Sequence, residues 1–160
     1  MKKFIILTLL FLGVCASANA QKNWSVSKTA GDPLKGTSDA FAYRCAIRRN
    51  YFYCYSDSHI IKIGSSNAIF NPRPTTYINY LDVTIGFYVG DTLVDKAKVM
   101  FSLNSRFDAA YCYRKGLNKR IITHLKTKGT VRIIAPTYSG DDYDLMLPMN
   151  PEIRYNEKKK

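Results

Sequence analysis

Apolar and polar residues alternate with period two along most of this chain. Phe41, Tyr43, Cys45 and Ile47 alternate with Ala42, Arg44, Ala46 and Arg48, as a strand with one buried face requires. After Arg49-Asn50 the alternation resumes, with Phe52 and Cys54 set against Tyr51, Tyr53 and Tyr55. A two-residue turn at Arg49-Asn50, where asparagine tolerates positive φ, predicts a hairpin with Cys45 opposite Cys54 and Ile47 opposite Phe52. A second hairpin is predicted from Leu81, Val83, Ile85, Phe87 and Val89, a turn at Gly90-Asp91, and then Ala97, Val99, Phe101 and Leu103. Shorter strands are expected at 24–28, 60–63, 131–135 and 143–147, with loops at 71–74 and 137–142.

One segment departs from this period. Asn118 can cap a helix that sets Ile121, Ile122 and Leu125 on one face, and Gly129 ends it. The expected fold is therefore mainly β: an antiparallel β-sandwich or open barrel with one short amphipathic helix near residues 118–128.

The ends of the chain set its address. Residues 1–20 carry Lys2 and Lys3, an apolar run from Phe4 to Val14, and the small-x-small site Ala18-Asn19-Ala20, which together form a signal peptide. The run is too short to span a bilayer, which takes about 20 residues. An exported protein, periplasmic or extracellular, is expected, with a single β-rich domain over 21–156 and a basic tail at 157–160. A lesser alternative is a lipid anchor on Cys15, whose Leu12-Gly13-Val14-Cys15 setting partly resembles a lipobox.

Export bears on the cysteines, because an oxidising compartment favours disulfides. The hairpin register predicts a Cys45–Cys54 bridge, worth about 2–3 kcal/mol for a loop of this length. Cys112, in Tyr111-Cys112-Tyr113, is the competing partner or remains a buried thiol. Zinc sites use tighter spacing and neighbouring histidines, so no metal is expected.

Candidate chemistry is sparse. Ser56-Asp57-Ser58-His59 holds the residue types of a hydrolase triad, but neighbours on a strand face opposite ways and cannot assemble one locally. His124 reads as a solvated or packed helix residue. Asp141, Asp142 and Asp144 lack the regular spacing of a calcium loop and read as a salt-bridge cluster. The chain has no phosphate-cradling glycine loop, Cys-x-x-Cys or nucleophile elbow, so neither a cofactor nor a catalytic set is expected.

Charge points to binding instead. Loss of Lys2 and Lys3 with the signal takes the net charge from +12 to +10 over the remaining 140 residues, which favours anionic partners. The outward face of the first hairpin carries Arg44, Arg48, Tyr51, Tyr53 and Tyr55, with Arg49 at its tip. Tyrosine supplies flat amphipathic contact area and arginine supplies paired donors for sulfate, phosphate or carboxylate. The leading expectation is a non-enzymatic binding protein for an anionic glycan, lipopolysaccharide or an acidic protein. Export makes nucleic acid the weakest partner. The alternatives are a small cell-envelope or glycan hydrolase using His59, Asp141, Asp142 or Asp144, and a periplasmic immunity or inhibitor protein.

The order of short motifs adds a resemblance. Trp24-Ser25-Val26, Asp32-Pro33-Leu34, Arg44-Cys45, the hairpin from Asp82 to Leu103, Leu125-Lys126-Thr127-Lys128-Gly129, Val131-Arg132-Ile133-Ile134 and a closing Leu145-Met146-Leu147-Pro148 resemble small secreted β-sandwich proteins of bacteria. Two groups are similar: invasion-associated locus B proteins, and type VI secretion accessory proteins that open with Trp and Asp-Pro-Leu or Asp-Pro-Met. The resemblance implies a secreted sandwich and carries no catalytic residues across. The closing segment lacks the final cysteine of the second group. Asp91-Thr92-Leu93 also resembles the Asp-Ser/Thr-apolar acceptor of periplasmic O-glycosylation in Bacteroidetes.

Overall fold

A computed structural model describes residues 23–31, 34, 39–56, 59–66, 70–72 and 79–153. The expected signal segment with Cys15, the tail 157–160, and Asp57 and Ser58 of the triad-like string lie outside these residues. Among the described residues the strands are β1 (Trp24–Thr29), β2 (Ala40–Ile47), β3 (Asn50–Tyr55), β4 (Ile60–Ser65), β5 (Tyr80–Val89), β6 (Thr92–Leu103), β7 (Ala109–Tyr113), β8 (Thr130–Ala135) and β9 (Tyr143–Leu147). They form one antiparallel sheet in the order β1-β2-β3-β4-β7-β6-β5-β8-β9, and among the described residues one helix, α1 (Lys115–Thr127), lies between β7 and β8.

This is the mainly β fold that the alternation predicts, as one open sheet with β1 and β9 at its edges and no closure into a barrel. The sheet curls so that its far edge meets its first strands. Tyr143 on β9 donates its hydroxyl to the Tyr51 carbonyl at 2.8 Å, and the Asn50 amide donates to the Asp144 carbonyl at 3.2 Å. Beyond β9, the Pro148 carbonyl accepts the Trp24 indole N–H at 3.2 Å.

Inward residues of both halves fill the resulting core: Phe52, Ile61, Ile63, Leu81, Ile85, Phe87, Phe101, Ile133 and Leu145 are all buried. Each such side chain contributes roughly 1.5–3 kcal/mol by leaving water. Trp24 packs edge-on against Phe52, with ring centres 6.3 Å apart. The helix adds Leu117, Ile121, Ile122 and Leu125, spaced to form one apolar stripe.

Three local details differ from expectation. The first hairpin turns at Arg48-Arg49, not Arg49-Asn50, so Cys45 pairs with Phe52, Tyr43 with Cys54 and Ile47 with Asn50. Arg48 takes the positive φ of +56°, and Asn50 becomes a strand residue whose amide reaches β9. A slip of two residues keeps every inward side chain inward, which is why the alternation could not detect it. It also sets Cys45 and Cys54 diagonally on the core face. They are not opposite one another, and Cys45, Cys54 and Cys112 are all free, buried thiols.

The helix starts one turn earlier than its apolar stripe suggests, after Arg114. Asn118 lies within it, fully buried, with its amide directed at the carbonyls of Tyr55 and Ile60 at 3.4 and 3.5 Å. Its helix end is fixed by close approach: Gly129 lies so near the Tyr88 carbonyl that a methyl group there would overlap it. Finally, β6 begins at Thr92, several residues before its regular alternation, because a bulge opposite Phe87 and Tyr88 absorbs one residue without ending the strand.

Candidate binding face

Strand pairing assembles a single row across the outer face. Ser25, Arg44, Tyr53, Lys62, Tyr111 and Ser102, from β1, β2, β3, β4, β7 and β6, stand directly opposite one another in succession. Neighbouring strands lie roughly 4.8 Å apart, so cation and phenol alternate along a strip at about that spacing. In the next row Tyr51 lies opposite Gly64. It leans across that glycine, in space a methyl group would have to share with its ring.

The glycine thereby lets Tyr51 join the first row. Tyr51 and Tyr53 meet edge to face at 5.6 Å, and the Lys62 ammonium lies 5.6 Å from each ring and 5.4 Å from the Tyr111 ring. The Arg44 guanidinium is 5.9 Å from Tyr51 and 5.7 Å from Tyr53. Arg44 is exposed, whereas Tyr51, Tyr53, Lys62 and Tyr111 are half-buried against one another. Cation–ring contacts at these distances are worth about 0.5–2 kcal/mol each, which holds the strip in shape before any ligand arrives.

The electrostatics follow from this crowding. Burial pushes the Tyr51 phenol above its ordinary value although Lys62 pulls the other way. Burial alone would lower the Lys62 ammonium. The phenol oxygens of Tyr51, Tyr111 and Tyr53, with a hydrogen bond from Lys62 to Tyr111, outweigh it and raise the pKa. The strip thus sets the Arg44 guanidinium and the Lys62 ammonium among hydroxyl-bearing rings.

Of the residues expected to form the site, the structure joins Arg44, Tyr51 and Tyr53. Tyr55 sits one row further along, opposite Ala42. Arg48 and Arg49 occupy the turn and line a separate hollow of about 680 Å³ with Asn50, Arg132, Asp142 and Asp144. There Asp144 holds Arg132 in a two-pronged ion pair at 2.9 and 2.6 Å. That pair, led by its hydrogen bonds, keeps the Asp144 carboxyl below its ordinary value. Lys62 and Tyr111 were missed because their strands come beside the first hairpin only through sheet pairing, although Ile61-Lys62-Ile63 and Tyr111-Cys112-Tyr113 carry the same period-two signal.

Of the residues of the hydrolase alternative, Asp142 and Asp144 line the one hollow beside Arg48 and Arg49, and His59 does not join them. His59 precedes β4, whereas Asp144 meets Asn50 beside the far end of β4, roughly 20 Å away at about 3.3 Å per strand residue. Ser56 is buried and accepts the Phe41 N–H at 2.9 Å. Thr137 donates its hydroxyl to the Asp141 carbonyl. Among the described residues no three His, Cys, Asp or Glu side chains gather where a metal could bind, and no helix is long and apolar enough to cross a membrane. His124 is tied down, with Nε2 2.9 Å from the Tyr88 carbonyl and its ring edge-on to Phe87 at 5.3 Å.

No family model, no curated protein and no solved structure matches this chain.

Proposed function

We propose that this chain is an exported, non-enzymatic binding protein that grips an anionic partner across the Arg44–Tyr53–Lys62–Tyr111 strip. The observation that carries this reading is the in-register alternation of cation and phenol over four neighbouring strands, two of which the first hairpin does not include. The partner class is an acidic glycan, lipopolysaccharide or an acidic protein. Phenol rings offer flat faces and hydroxyl groups to a sugar or peptide, while Arg44 and Lys62 neutralise its charges. Export rests on the N-terminal pattern of lysines, apolar run and cleavage site.

The test compares the mature protein with an Arg44→Ala/Tyr53→Ala variant against purified lipopolysaccharide, a polyuronate and an acidic protein at low and high salt. Thermal stability is expected to stay nearly unchanged. Affinity for one of the probes should fall about tenfold or more, with a flatter salt dependence. Unchanged affinity for all three probes, or their failure to bind the parent protein, overturns the proposal. If the double variant unfolds, the strip is structural.

A further inference from the structure

A second cationic feature lies where β6 and β7 part company. β6 is paired with β5 from Thr92 to Ser102, but it meets β7 only at Ser102 and Leu103. Immediately after Tyr113 the chain stops continuing as a strand beside β6 and turns into α1. Among the described residues, no strand pairs with Thr92–Phe101 on that side. A run of this length presents alternate backbone N–H and C=O groups to its open flank.

The flank opens on a groove between β6 and α1. One hollow of about 550 Å³ is lined by Phe87, Val94 and Asp95 of the ribbon and by Gly116, Arg120 and Lys128 at the helix. The next, of about 590 Å³, is lined by Ala97, Lys98 and Val99 and by Arg114, Gly116 and Arg120. Gly116 and Arg120 belong to both hollows, which makes them successive parts of one channel along β6. Lys98, Arg114, Lys115, Lys119, Arg120 and Lys128 line it, against a single carboxylate, Asp95, which is already paired with Arg120. Val94 is 53 % exposed beside it.

We infer that this groove takes an extended acidic peptide segment of a partner protein, which adds as a strand to the open flank of β6. Main-chain pairing selects a polypeptide over other polyanions, because only a peptide supplies N–H and C=O groups at strand spacing. The lysines and arginines along both walls select acidic side chains and steer their approach. Gly116 leaves the helix side of the channel without a side chain where its two parts meet. Lysines on a free strand also discourage pairing with a second copy of this basic chain, so the same charges that admit an acidic strand repel a like one. The groove is separate from the outer-face strip, and neither reading depends on the other.

The probe is a terminally blocked peptide alternating glutamate and valine, titrated into the mature full chain with amide hydrogen exchange followed residue by residue. Binding should slow exchange within Thr92–Phe101 by about tenfold or more and weaken with salt. The same peptide methylated on alternate backbone nitrogens should fail to bind. A Lys98→Glu/Lys119→Glu variant, at two exposed sites, should lose about tenfold in affinity. The inference is overturned if the peptide does not bind, or if it binds without protecting β6. Equal binding of the methylated peptide or of polyphosphate also overturns it, since either would mean that charge alone is recognised.

Discussion

The hairpins β2–β3 and β5–β6 have the same alternating sequence signature and very different surroundings. β2–β3 is flanked by β1 and β4 along its length, so Tyr43, Cys45, Phe52 and Cys54 are sealed on one face while arginine and tyrosine line the other. β5 is similarly enclosed by β8, and Leu81, Val83, Ile85 and Phe87 are buried. β6, on the outer side of that ribbon, is exposed on both faces from Thr92 to Lys96. Alternation marks a strand, but neighbours on both flanks decide whether its apolar face becomes core. One hairpin consequently offers a formed surface and the other an open edge, two different ways for a sheet to meet a partner.

The largest expected effect tests that contrast in burial. Phe52→Ala should cost about 3–5 kcal/mol, whereas Val94→Ala should stay within about 0.5 kcal/mol, both read from urea denaturation. Equal costs would mean that β6 is as enclosed as β3. Gly129→Ala comes next. Its methyl group meets the backbone of Tyr88, which cannot rotate away, so a loss of about 2–3 kcal/mol is expected at the junction of α1 with the long ribbon. A neutral result would show that this junction has room.

Alkaline titration probes the sealed face of the short hairpin. Burial pushes the Cys45 thiol from 9.0 up to about 12 and raises Cys54 and Cys112 as well. Their protons are lost from the unfolded chain first. Stability is therefore full below about pH 9 and falls as pH rises toward 12, by up to about 1.4 kcal/mol per pH unit for each thiol. Cys45→Ala should reduce that slope, and native-state alkylation of the cysteines should be slow until the protein unfolds.

Smaller effects sharpen the outer face. Gly64→Ala forces Tyr51 aside, and because only a side chain must move, the cost should be about 1 kcal/mol, with binding at the strip weakened more than stability. In Gly64→Ala/Tyr51→Ala the overlap is gone, so stability should recover while binding does not. Asp144→Asn should cost less still, at most about 1 kcal/mol, since the Arg132–Asp144 pair is 39 % and 44 % exposed and screened by water. The pair depresses the Asp144 carboxyl below 3.8, so its contribution is present above that pH and disappears as pH falls through the folded value. Acid denaturation of the variant should show a shallower loss in that range.

Much of the architecture was legible residue by residue. Each segment read as a strand is one, including the brief ones read at 60–63 and 143–147, because a half-buried strand writes period two into its own residues. The turn of the first hairpin was not legible. Arg48 occupies a positive φ that asparagine adopts more readily, and the slip it produces preserves every face. Asn118 was misplaced for a related reason: its preference for caps was outweighed by a burial site that the helix reaches only in the folded sheet.

The candidate face divides in the same way. Arg44, Tyr51 and Tyr53 could be read from one hairpin, whereas Lys62 and Tyr111 join them through strands that follow β3 by one and by four places in the chain. The N-terminal signal pattern, the strand periodicity and the excess of positive charge are set by the sequence alone, because each depends on local spacing or on a sum over residues. Strand order, the two-residue slip, the alternating cation–phenol row and the open flank of β6 were decided only by tertiary structure. They are set by which distant segments pair, and that choice minimises exposed apolar area and unpaired backbone over the whole sheet at once.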